Sequence, residues 1–154
     1  GISLFAIKNL KSNQYNFVES KILLSSERTG QDGDIGLAMM TTVKSGQELI
    51  FLCVIGRGPI QVWCEVYGRT DRGEYSTGKT ITNYDVWHTV RIEMDPEINA
   101  TFYIDGQQVG SYRPNDAKEI MGRDFTARLG VSSSMQTGIQ AHFDDVRIGQ
   151  FRKE

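Results

Sequence analysis

The sequence predicts an all-β sandwich of short antiparallel strands. Two broad observations carry this. Apolar and polar residues alternate in many short runs, the pattern of strands with one buried face. The runs are punctuated by turn residues, among them 16 glycines. A third observation is local. Residues 87–112 lay out three alternating runs joined by turn chemistry that suits an antiparallel meander.

Taken in order, residues 2–7 read as a short apolar strand and residues 8–16 as a polar turn. Residues 16–25 resume alternation, with Phe17, Glu19 and Lys21 against Val18, Ser20 and Ile22. Residues 27–36 form a loop rich in Gly and Asp, 37–43 a strand, and Ser45-Gly46 a turn. Residues 48–55 and 60–67 make a hairpin around Arg57-Gly58-Pro59. A four-residue loop, 57–60, pairs Gly56 with Gln61, and that register sets Cys53 opposite Cys64. Leu49, Phe51, Ile55, Val62 and Val66 share the cysteines' core face; Ile50, Leu52, Val54, Trp63, Glu65 and Tyr67 share the other.

Residues 68–73 are a charged turn and 74–82 a polar strand. In the meander, Val90, Ile92 and Met94 alternate with Thr89, Arg91 and Glu93. Asp95-Pro96-Glu97 stops that run, because proline cannot donate to a ladder. Alternation resumes at 100–104, then Asp105-Gly106 signals a type I′ turn into 107–112. Within 113–124, Asp116 and Glu119 form a capping box, which predicts one helical turn over 117–121 ending at Gly122. Residues 125–131 are a strand, 132–138 a small-residue loop, and 139–151 hold the closing strand. The expected core is Leu49, Phe51, Cys53, Val62, Cys64, Val66, Val90, Ile92, Phe102, Ile104, Leu129, Val146 and Ile148.

The 154 residues fit one domain spanning 1–154, large enough to bury roughly 70% of its unfolded surface. The net charge of −2 argues against a nucleic-acid partner. No apolar run approaches the roughly 20 residues of a membrane span, so membrane insertion is not expected. Gly1 followed at once by strand-like sequence suggests a domain cut from a longer chain, whose remainder is then a partner.

Trp87-His88-Thr89-Val90 and Phe102-Tyr103-Ile104-Asp105-Gly106 resemble the W-H-x-V … Y-x-D-G core of the concanavalin A-like lectin/glucanase superfamily, in its laminin-G-like flavour. Phe143-Asp144-Asp145-Val146-Arg147-Ile148 resembles that group's closing D-D-V-R-I strand. The resemblance covers residues 17–151 and implies a concanavalin A-like jelly roll, with 16–25 as its early edge strand. The fold hosts lectins, glycosidases and protein-binding modules, so function must come from the site.

Four chemistries are candidates. Glu93-Met94-Asp95-Pro96-Glu97 superficially matches the E-x-D-x-E signature of retaining family 16 glycosidases. That chemistry needs two carboxyl groups about 5–5.5 Å apart on one continuous strand face. Pro96 breaks the strand, and in the enzymes resembled the catalytic strand precedes the meander. No G-x-S-x-G, H-E-x-x-H or phosphate loop is present, so the chain does not read as an enzyme. Carbohydrate binding needs an aromatic face for sugar C–H groups and polar groups for hydroxyls. Trp63, Glu65 and Tyr67 project to one side of a strand, with Arg69 in the next turn, and form the expected platform; Arg91 and Tyr103 form a second. Burial of both Trp63 and Tyr67 would remove the first. Asp32, Asp34, Asp144 and Asp145 are oxygen-rich and point to a structural calcium. Cys53 and Cys64 form either a disulfide, which implies an oxidising compartment, or two buried thiols.

The function expected is a non-catalytic carbohydrate-binding accessory module of a larger extracellular or cell-surface protein. The alternative is a protein-interaction or spacer module, and a glycoside hydrolase stands third.

Overall fold

The computed structural model describes residues 2–27, 33–42, 46–56, 59–68, 75–133 and 140–152. Residues 28–32, 69–73 and 134–138 of the expected loops, and the hairpin tip at Arg57-Gly58, fall outside them, while 33–36 and 132–133, expected as loop, belong to strands. The strands are β1 (Ile2–Leu10), β2 (Asn16–Leu24), β3 (Gly33–Thr42), β4 (Glu48–Gly56), β5 (Gln61–Gly68), β6 (Tyr75–Ser76), β7 (Thr80–Ile81), β8 (His88–Met94), β9 (Ala100–Ile104), β10 (Gln107–Tyr112), β11 (Phe125–Ser133) and β12 (Ala141–Gln150); α1 is Ala117–Ile120. They build two antiparallel sheets. One runs β1-β11-β3-β4-β5-β6, with β7 also on β5; the other runs β10-β9-β8-β2-β12. Val18, Ile22, Ile92 and Phe102 of the second sheet share one core with Leu37, Phe51 and Val62 of the first. The result is a jelly-roll sandwich.

The β4–β5 hairpin has the expected register, with Cys53 opposite Cys64 and Gly56 opposite Gln61. Their Cα atoms lie 4.1 Å apart and the cysteines are disulfide-bonded, so the free-thiol alternative falls away. The β9–β10 turn has φ 52° at Asp105 and 82° at Gly106, the two positive values of a type I′ turn. In β8 the alternation is complete: His88, Val90, Ile92 and Met94 are buried, and Thr89, Arg91 and Glu93 face outward. Asp95 then folds the β8–β9 turn around itself. Its Oδ1 accepts the backbone N–H of Glu97 and of Asn99, and its Oδ2 accepts the Asn99 side-chain amide, each at 2.9 Å. Ile98 takes φ 66° in this turn and is fully buried.

Several expectations change. β1 continues to Leu10, because Leu10 is buried and pairs with Phe125 on β11. β2 is not an edge strand; it lies between β8 and β12. The polar strand at 74–82 splits into β6 and β7. Thr77 turns in between them, accepting the Cys64 N–H through its hydroxyl and donating its own N–H to the Cys64 carbonyl. Asp116 does not cap α1 with its side chain. At φ −92° and ψ 19° it lies outside the extended region from which a capping side chain reaches back. Val146 is 39% exposed rather than core. A bulge between Asp144 and Arg147, with Asp145 at φ 48°, shifts the alternation of β12 there. Leu129 and Ile148 are half-buried and packed on the core's margin, and the other ten expected core residues are buried.

Candidate functional site

The outward face of β4 and β5 is not an open platform. Trp63 is 9% exposed and packs with Ala38, Met40, Ile50, Leu52 and Val54 in a second apolar cluster. The Lys79 ammonium sits 4.6 Å from the centre of its ring. The indole N–H is buried and finds no acceptor among the described residues. Glu65 and Tyr67 remain half-buried beside it, and Arg69 lies outside the described residues. Burial, and then the charge of Glu65, raise the Tyr67 hydroxyl above the usual tyrosine range.

The five-stranded sheet presents a different outer face. Its ladders align Ser111, Thr101, Glu93, Phe17 and Gly149 in one row, and Gln108, Tyr103, Arg91, Glu19 and Arg147 in the next. Arg91 is the hub. Its Nε donates to Glu93 Oε2 at 2.9 Å, its Nη1 lies 3.5 Å from Glu19 Oε1, and its guanidinium stacks 4.0 Å over the Phe17 ring. Tyr103 donates its hydroxyl to Glu93 Oε1 at 3.1 Å. Burial, then the Glu93 carboxylate, raise the Tyr103 hydroxyl above its usual range. Arg91 and Tyr103, expected on one platform, are thus linked through Glu93.

This face ends in a cleft of about 180 Å³. It is lined by Glu93 and Thr101 of the sheet, Asp95 and Asn99 of the braced turn, and Tyr15 and Phe151. The two rings meet edge to face with centroids 5.5 Å apart. Tyr15 and Phe151 come from opposite ends of the chain. They meet because β12 pairs with β2 through Gln150 and Asn16, and because Phe151 N–H donates to the Tyr15 carbonyl at 3.0 Å. No local pattern in the sequence announces that meeting; only the β2–β12 pairing does. The cleft combines aromatic C–H surface with hydroxyl, amide and carboxylate groups, the chemistry that recognises a polyhydroxylated ring. Its volume is below the roughly 300–1,000 Å³ of drug-sized pockets, which suits a small unit.

The other candidates are placed as follows. Glu93 ends β8, while Glu97 is exposed in the turn beyond it, so the two do not share a strand face. His88 is buried between Thr82 Oγ1 at 2.6 Å and Asp105 Oδ2 at 2.8 Å. Asp34 is buried on β3 of the seven-stranded sheet. Asp144 and Asp145 are exposed on β12 of the other sheet, where Asp145 pairs with Lys21 at 2.9 Å; Asp32 lies outside the described residues. Among the described residues no group of three or more His, Cys, Asp or Glu side chains is placed to hold a metal ion. No helix among them is long and apolar enough to cross a membrane.

Solved structures share this architecture at low identity. A carbohydrate-binding module, CBM66 from Bacillus subtilis, superposes with a TM-score of 0.63 at 13% identity, over 96% of this chain and 81% of that one. An alginate lyase from Pseudomonas aeruginosa gives 0.61 at 16% identity, over 93% and 68%. A double-cysteine variant of alginate lyase A1-II′ gives 0.69 at 10% identity, over 94% and 65%. At these identities the likeness concerns the fold alone. No curated protein sequence matches the chain. Residues 26–150 match the family Laminin_G_3, a span that takes in both meander motifs and the closing strand while leaving out Tyr15 and Phe151. With that match over most of its length and the two-sheet jelly roll beneath it, the chain belongs to the Laminin_G_3 family of the concanavalin A-like lectin/glucanases superfamily.

Proposed function

We propose that this domain is a non-catalytic carbohydrate-binding module serving a larger extracellular or cell-surface protein. The observation that carries the reading is the cleft: the paired rings of Tyr15 and Phe151 and the polar groups of Glu93, Asp95, Asn99 and Thr101 line one space of about 180 Å³. A sugar ring lays its C–H face on the aromatic wall, and its hydroxyls bond to the Tyr15 and Thr101 hydroxyls, the Asn99 amide and the Glu93 carboxylate. The braced β8–β9 turn keeps this arrangement in place without a ligand, which lowers the ordering cost of binding. The likeness to a carbohydrate-binding module supports the reading. The Cys53–Cys64 disulfide supports an oxidising, extracellular setting.

One feature favours binding over catalysis. Glu93 and Glu97 diverge at the turn, which leaves no retaining pair there.

A glycan array probed with the isolated domain, with and without EDTA, tests the proposal. The expected result is binding to a defined glycan set in the millimolar to micromolar range, about −4 to −8 kcal/mol. Phe151→Ala is expected to weaken it at least about tenfold, since stacking and burial of one ring supply about that much. The EDTA arm tests the calcium expected from Asp32, Asp34, Asp144 and Asp145, although Asp34 lies on one sheet and Asp144 and Asp145 on the other. A second reading places the ligand at Trp63, Glu65, Tyr67 and Arg69, because Glu65 and Tyr67 stay half-exposed there. Under it Tyr67→Ala, not Phe151→Ala, abolishes array binding. A protein-interaction or spacer module would leave the array blank.

A further inference from the structure

We infer that the ligand is an uncharged glycan chain, read along the outer face of the five-stranded sheet from the Tyr15–Phe151 cleft to Trp87. This rests on the reading of the cleft as a sugar site and adds the class of sugar and the length of the contact.

The first argument is charge. A polyanion such as a polyuronate needs unpaired cations. The cations in its strand rows are already engaged: Arg91 by Glu93 and Glu19, Arg147 by Glu19 at 3.6 Å, and Lys21 by Asp145. Arg152, exposed next to Phe151, has no carboxylate partner among the described residues, yet the carboxylates Glu19, Glu93, Asp95, Asp144 and Asp145 still outnumber Lys21, Arg91, Arg147 and Arg152. The field over the face therefore disfavours a negatively charged polymer. Neutral hydroxyls, by contrast, meet acceptors and donors held in fixed positions by the Arg91 network.

The second argument is the far end. Trp87 is 44% exposed, a large ring left open to solvent immediately before the buried His88. It stands one position before β8, and we take it to continue that strand's alternation onto the side of Thr89, Arg91 and Glu93. Trp87 and Glu93 are six positions apart, about 20 Å along an extended strand. That distance exceeds what one ring covers, so an aromatic at each end with hydrogen-bonding rows between them suits a chain of several sugars. Isolated exposed apolar residues are ordinary; this one precedes the start of β8, the strand whose other end carries Glu93 of the cleft.

Affinity electrophoresis separates the outcomes. The domain is run in native gels containing laminarin, xyloglucan, levan or mannan as neutral polymers, and alginate or pectate as polyanions. Retardation by at least one neutral polymer and by neither polyanion is expected. On the neutral polymer that binds, Trp87→Ala should weaken binding roughly 3- to 10-fold, and Trp87→Phe should restore most of it. A disaccharide of the same polymer, measured by calorimetry, should bind the Trp87→Ala domain as it binds the parent. Retardation by alginate or pectate alone overturns the inference, as does a Trp87→Ala domain unchanged on the polymer; in either case loss of binding in Phe151→Ala leaves the cleft reading standing. If no polymer retards the domain, the cleft reading and this inference fall together.

Discussion

Phe102→Ala is expected to destabilise the domain by about 3–5 kcal/mol, the cost of emptying a buried phenylalanine site. Phe102 is fully buried on β9 and stacks 6.0 Å from Tyr75, which reaches over from β6 on the opposite sheet. Tyr75 in turn stacks on Tyr112 at 4.6 Å. It fits there because Gly110, paired with Phe102 in the ladder, has no side chain; a Cβ at that position would collide with the Tyr75 hydroxyl. Partial burial raises the Tyr75 hydroxyl above its usual pKa, against the opposing pull of a hydrogen bond with the Ser111 backbone. The substitution thus removes a contact joining both layers. Urea unfolding should show a lower midpoint with an unchanged slope. A loss below about 1 kcal/mol would mean that β6 does not pack across the sandwich as described.

Replacing the disulfide with Cys53→Ala/Cys64→Val should cost about 2–3 kcal/mol, since the bond closes a short loop in the unfolded chain. Both cysteines are fully buried in the core of the β4–β5 hairpin, and near-isosteric replacement limits the cavity contribution. The fold itself should survive, because Thr77 still clamps β5 through both of its hydrogen bonds to Cys64's backbone. A variant as stable as the parent would contradict the loop-closure account. Against a typical domain stability of about 5–15 kcal/mol, either substitution removes a large share.

Much of the fold was legible because period-two alternation and turn chemistry are local. The register of β4 and β5 followed from loop length alone, and Asp105-Gly106 announced its turn by residue type. What stayed illegible was non-local. Val146 looked like core because a bulge cannot be read from alternation; the extra residue of β12 appears only once Asp144 and Arg147 are matched to Lys21 and Glu19. β2 gave no sign that β12 would cover its outer edge. The site divides the same way. Arg91 and Tyr103 could be placed on one outward face, but their linkage through Glu93 needed the β8–β9 register. Trp63 and Tyr67 shared a face as their spacing required, yet spacing does not tell whether a face is open, and Trp63 is covered. Tyr15 and Phe151 carried no signal, since each is an ordinary aromatic until the chain ends are brought together.

The most direct test of the cleft is an NMR titration of the isotope-labelled domain with a glycan taken from the array. The side-chain amide of Asn99 and the backbone amides of Thr101, Glu97 and Phe151 are expected to shift together and saturate with one dissociation constant, while the indole N–H of Trp63 stays still. Shifts gathered on Trp63, Glu65, Tyr67 and Arg69, with Asn99 and Phe151 unmoved, would contradict the account and place the ligand on the other sheet.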